Sequence, residues 1–79
     1  PVLDDVVTWD RLRRDTYRGS FGEYAAFLAG HADWPAAATI RRLAERSIAD
    51  DTPADQIVRH FSKLPPITAE GKWRYAEAL

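Results

Sequence analysis

The side chains able to do chemistry in this 79-residue chain are few and scattered. It has two histidines, His31 and His60, four glutamates, three serines and no cysteine. A metal site needs imidazoles converging with carboxylates, and neither an H-x-x-x-H nor an H-E-x-x-H spacing occurs. His31 follows the expected end of a helix, where an imidazole meets the negative end of the dipole. Both histidines therefore read as surface or capping residues. Ser20, Ser47 and Ser62 have no nucleophile context, and Ser20 is better explained as a helix cap. The four glycines are dispersed, so no phosphate-cradling loop is present.

A lone carboxylate can act as a general acid when an apolar pocket raises its pKa. Glu23 lies three residues after Ser20, a capping-box spacing. Glu45 lies four residues after Arg41, and an ion pair on one helix face accounts for it. Glu70 falls in a first helical turn, a favourable place for negative charge, and Glu77 is near the chain end. No catalytic residue, metal ligand or cofactor-binding residue is assigned.

Eleven basic and twelve acidic residues give a formal charge of −1, so there is no global attraction to nucleic acid or anionic lipid. Arg13–Arg14 and Arg41–Arg42 interleave with Asp10, Asp15 and Glu45, as on solvated helix faces carrying ion pairs. No nucleic-acid partner is expected. No apolar run approaches the length of a membrane span, and "PVLDDVVTW" lacks the basic start and apolar core of a signal peptide. A chain that opens with proline and contains no methionine reads as an excised piece of a longer protein.

Periodicity and punctuation predict an all-α fold of about five short helices. Thr8 is expected to cap a first helix from Trp9 to about Tyr17, with Gly19 as its stop. Ser20 caps a second, ended by Gly30, whose apolar face is Phe21, Tyr24, Ala25, Phe27 and Leu28. The third is expected to start at Asp33 or Trp34 with Pro35 in its first turn. Ile40, Leu43, Ala44 and Ile48 form its stripe. Thr52 as cap and Pro53 at the first helical position open a fourth, with Ile57, Val58, Phe61 and Leu64 inward and Pro65–Pro66 as the stop. Thr68 caps a fifth, with Trp73, Ala76 and Leu79 as contacts. Short connections pair the second helix with the third, and the fourth with the fifth, as antiparallel hairpins. The residues expected to be largely buried are Phe21, Tyr24, Leu28, Ile40, Leu43, Ala44, Ile57, Phe61 and Trp73. Trp9, Trp34 and Trp73 are assigned to inter-helix packing. The fifth helix runs to Leu79 without a stop signal and reads as a cut.

"FGEYAAFLAGHADWPAAATIRRLAERSI" resembles the α-superhelical region of soluble lytic murein transglycosylases, the periplasmic enzymes that cleave bacterial peptidoglycan. The family pattern W-x-x-L-R is matched by Trp9, Leu12 and Arg13. Its F-x-x-Y-x-x-F-L is matched by Phe21, Tyr24, Phe27 and Leu28. Trp34 and Pro35 follow, then Ile40, Arg41, Arg42, Ala44 and Glu45. The later "FSKLPPITAEGKWRYAEAL" is similar to the stretch that follows in the family, through Phe61, Pro66, Thr68, Gly71, Ala76 and Leu79. These are packing signatures covering nearly the whole chain.

The family's lysozyme-like catalytic unit, with its Glu-Ser pair, G-L-M-Q and A-Y-N segments, has no counterpart here. The resemblance implies that residues 1–79 are one helical segment of a larger superhelical domain. It also implies a non-catalytic scaffold that orients murein near a catalytic domain carried elsewhere. Its partners would be peptidoglycan, through the parent enzyme, and that enzyme's remaining helices, in the periplasm. Arg41 and Arg42 are the candidates for contact with the carboxylates of murein peptides, since arginine pairs with carboxylates bidentately. The competing reading is a stand-alone, TPR-like module of helical hairpins that binds a peptide or protein.

Overall fold

The computed structural model describes residues 2–79, and among them there are five helices and no strand. They are α1 (Val2–Leu12), α2 (Phe21–His31), α3 (Ala37–Arg46), α4 (Ala54–Lys63) and α5 (Ala69–Ala78). α2 pairs chiefly with α3, and α4 with α5. α3 also packs on α5, while α2 touches both α1 and α4. This is the expected pairing of helices.

The caps explain most boundaries. The Ser20 hydroxyl accepts from the Glu23 amide while the Glu23 carboxylate reaches back to the Ser20 amide, so the capping box at α2 is complete. The Thr68 hydroxyl accepts from the Gly71 amide and opens α5. α4 ends at Lys63 with Leu64 as its C-cap, and Pro65 and Pro66 follow that cap.

At four of the five helices a boundary differs from the one the sequence predicts. α1 begins at Val2 rather than Trp9, with Asp4 and Asp5 in its first turn complementing the dipole. It stops at Leu12, so Tyr17 lies outside it; the Tyr17 hydroxyl donates instead to the Glu23 carboxylate at 2.8 Å. α2 runs past Gly30 to His31. α3 starts at Ala37, because Ala36 takes a left-handed conformation (φ 63°) that no helix continues through. At α4, Pro53 is the N-cap, and the Thr52 hydroxyl accepts from the Ala49 amide in the preceding turn.

The core is one cluster: Leu12, Phe21, Tyr24, Phe27, Leu28, Ile40, Leu43, Ala44, Ile48, Ile57 and Phe61. Eight of the nine residues expected to be buried are buried. Trp73 is not; it is 56 % exposed, as Ala76 and Leu79 are also exposed. α5 turns a different face inward, with Gly71 buried and Arg74, Tyr75 and Ala78 partly so. Tyr75 packs its ring 5.3 Å from that of Phe61. Trp9 and Trp34 do serve as packing residues. Their rings lie 6.3 Å apart, Trp34 meets Phe27 edge-on at 5.7 Å, and the Trp9 indole N–H donates to the Pro35 carbonyl.

Candidate functional site

The most unusual side chain is Glu45, a carboxylate on α3 with no exposed surface. Burying a charge is costly unless its oxygens are satisfied. Here they are. The Thr68 hydroxyl donates to Oε1 at 2.6 Å, the Thr68 amide to Oε1 at 2.8 Å, and the Ile67 amide to Oε2 at 3.0 Å. These donors form the N-terminal entry of α5, where helical amides lack intrahelical partners and the dipole favours an anion. Gly71, on the first turn of α5, faces the same carboxylate, and a Cβ there would collide with Oε1. Glycine is required by close approach.

This arrangement overturns the ion pair expected between Arg41 and Glu45. Arg41 instead donates from its guanidinium to the Pro65 carbonyl at 2.6 Å, tying α3 to the α4–α5 connection. Glu45 is sealed from solvent, so it has no route to a substrate proton. The signal available in the sequence was T-x-x-G at Thr68 and Gly71, which leaves room for an incoming carboxylate. Nothing local pointed to Glu45 as its source.

Arg42 lies on the exposed outer face of α3 and donates to the Thr39 hydroxyl at 3.1 Å. The two candidate contact residues are thus separated in role: Arg41 is engaged with backbone and half-buried, and Arg42 faces water. The other arginine pair is held by Asp10, which accepts from Arg13 on one oxygen and from Arg14 at 2.8 Å on the other. Those two hydrogen bonds, Arg14's first, lower the Asp10 pKa below the usual carboxylate range.

The histidines also diverge. His31 closes α2, with Nδ1 2.9 Å from the Phe27 carbonyl and Nε2 3.2 Å from the Asp5 carboxylate on α1. Its ring stacks on Phe27 at 4.4 Å and meets Trp34 edge-on at 4.9 Å. The Phe27 carbonyl raises its pKa above the ordinary value, with Asp5 adding to the effect against partial desolvation. His60, expected at the surface, is buried between Phe21 and Phe61. Burial lowers its pKa, against the opposing pull of Glu45. Among the described residues, no three His, Asp or Glu side chains converge as metal ligands would.

One concave surface stands out, a groove of about 360 Å³ between α2 and α4. Its floor is Phe21, Leu28 and the alanines Ala25 and Ala29; Arg59 and Lys63 of α4 stand on its rim. The sequence reading did not identify it. Its signal was the run of small residues Gly22, Ala25, Ala26 and Ala29, at the i, i+3, i+4, i+7 positions of one helical face. No family model, curated protein or solved structure matches this chain.

Proposed function

We propose that this chain is a non-catalytic helical scaffold segment of a peptidoglycan lytic transglycosylase. In this reading it is one stretch of an α-superhelix of paired helices that supports and orients murein beside a catalytic unit carried elsewhere in the parent enzyme. The supporting observation is the junction at Glu45. The two stretches that carry the family resemblance, one with Ala44–Glu45 and the other with Thr68 and Gly71, meet at that carboxylate. The residues of the resemblance are used to fix helix against helix. Phe21, Tyr24, Leu28, Ile40 and Phe61 are core, and Trp34 packs the joint between α2 and α3. Stacked pairs of helices joined in this way are the building principle of an α-solenoid. Arg42 is then the better placed of the two arginines to meet a peptide carboxylate of murein.

The test uses purified peptidoglycan sacculi and two proteins, this chain and the full product of its reading frame. Anhydro-muropeptides are expected from the full product and none from the chain. Release by the chain itself, abolished in Glu45→Gln while the protein stays folded, would reverse the assignment. A reading frame without a lysozyme-like unit would favour the stand-alone, TPR-like binding module.

A further inference from the structure

We propose that the groove between α2 and α4 is a docking site for an amphipathic helix of a partner polypeptide, one whose apolar face is flanked by carboxylates. The proposal stands apart from the murein reading.

Three features of the groove select this occupant. First, its floor combines apolar surface with small side chains. Ala25 and Ala29 lie one turn apart on α2, and a neighbouring helix can approach such a lane to an interaxial distance of roughly 8 Å. Second, the charged residues that border it, Arg59 and Lys63, are cationic, and no carboxylate lines it. This contrasts with the chain as a whole, which is slightly acidic. The ion pair of Arg59 with Asp55 is long at 3.8 Å and largely exposed to water, so it competes weakly with a new partner. His60 also borders the groove, and its buried, neutral ring contributes shape rather than charge.

Third, the walls are helices. Their backbone amides and carbonyls are already paired within α2 and α4, so there is no strand edge on which an extended peptide could complete its own hydrogen bonds. An occupant must therefore arrive with its backbone satisfied, as a helix does. Nucleic acid is disfavoured by an apolar floor with only two cations beside it. A second copy of this chain is less suited. Its α1 exposes Leu3, Val6 and Val7, but two of the three carboxylates of that helix are already held, Asp5 by His31 and Asp10 by Arg13 and Arg14.

The experiment measures fluorescence anisotropy of two stapled helical peptides against the chain. One presents Ala and Leu on one face with Glu on both flanks; the other replaces each Glu by Lys. The Glu peptide should bind at least about tenfold more tightly, and added salt should weaken it. The double variant Arg59→Glu/Lys63→Glu should reverse the preference. Ala29→Trp should abolish binding of both peptides, with circular dichroism confirming the fold. The charge-reversal variant keeps the idea testable if Ala29→Trp does not fold. Equal binding of the two peptides, or a preference unchanged by charge reversal, overturns the proposal. So does sedimentation showing a dimer of the chain that Ala29→Trp dissociates, because the groove would then belong to a second copy.

Discussion

Glu45 on α3 accepts a hydrogen bond from the Thr68 hydroxyl at 2.6 Å, across 23 positions of sequence. The same hydroxyl accepts from the Gly71 amide, so one threonine joins a buried anion to the first turn of α5. A folded chain of this size has a total stability of only about 4–12 kcal/mol. Removing the carboxylate leaves three part-buried donors without this acceptor. Glu45→Ala should therefore cost about 3–4 kcal/mol, and Glu45→Gln about 1–3, in urea denaturation. Gly71→Ala should cost about 1–3 kcal/mol by overpacking against Oε1. Its cost should shrink in the Glu45→Ala background, because the obstructing group is gone. Additive losses would mean that the two residues do not share this contact.

The histidines give stability a pH dependence with two opposed arms. His31 has a folded-state pKa above the unfolded value of about 6.5, so its contribution is complete below that pH and is lost as pH rises through the folded pKa. His60 has a lowered folded-state pKa. Its contribution is present above about pH 6.5 and is lost as pH falls toward the folded value. The chain should show a stability maximum contributed by these two groups near pH 6.5. His31→Gln should flatten the alkaline side of that maximum. In NMR titration Asp5→Asn should lower the His31 pKa and leave His60 unchanged. A His31 that titrates below its ordinary value would remove the contact with Asp5.

Much of the fold was legible because it is written in short-range signals. Ser20 with Glu23, Thr68 with its following turn, and Pro65–Pro66 each fix a boundary through atoms three or four residues apart. Errors arose where two local patterns were equally good. Trp73, Ala76 and Leu79 make one helical stripe, while Gly71, Tyr75 and Ala78 make another on the same helix. Only the packing of α5 on Glu45 and Phe61 decides between them. Glu45 is not legible locally, because the i, i+4 arginine is as good a partner by spacing as any other. Its partners lie on the far side of α4, where spacing carries no information. The groove depends equally on two separate helices, so neither its alanines nor its arginine announced it alone.

The orientation of α5 separates two substitutions that the stripe pattern would treat alike. Leu43 is buried, so Leu43→Ala should cost about 2–5 kcal/mol through lost burial and a cavity. Trp73 faces water with the Arg74 guanidinium 4.9 Å from its ring, and Trp73→Ala should change stability by no more than about 0.5 kcal/mol. Acrylamide quenching gives an independent reading. Trp73→Phe should remove the readily quenched, red-shifted part of the emission and leave that of Trp9 and Trp34, which are half-buried. A large loss of stability in Trp73→Ala would mean that α5 is rotated about its axis.

Ala36 is the single non-glycine residue with positive φ among the described residues, and it sits at the N-cap of α3 without a side-chain hydrogen bond. A Cβ in the left-handed region costs about 1–2 kcal/mol, whereas glycine adopts it freely. Glycine also has the more flexible unfolded chain, which offsets part of the gain. Ala36→Gly should therefore stabilise the protein by about 0.5–1 kcal/mol, seen as a higher urea midpoint with an unchanged slope. Ala36→Val should do the reverse, since β-branching deepens the strain at this backbone angle. The pair of opposite shifts tests the turn that ends the Trp34–Pro35 segment. If Ala36→Gly destabilised the fold, α3 would begin earlier, with Pro35 inside its first turn.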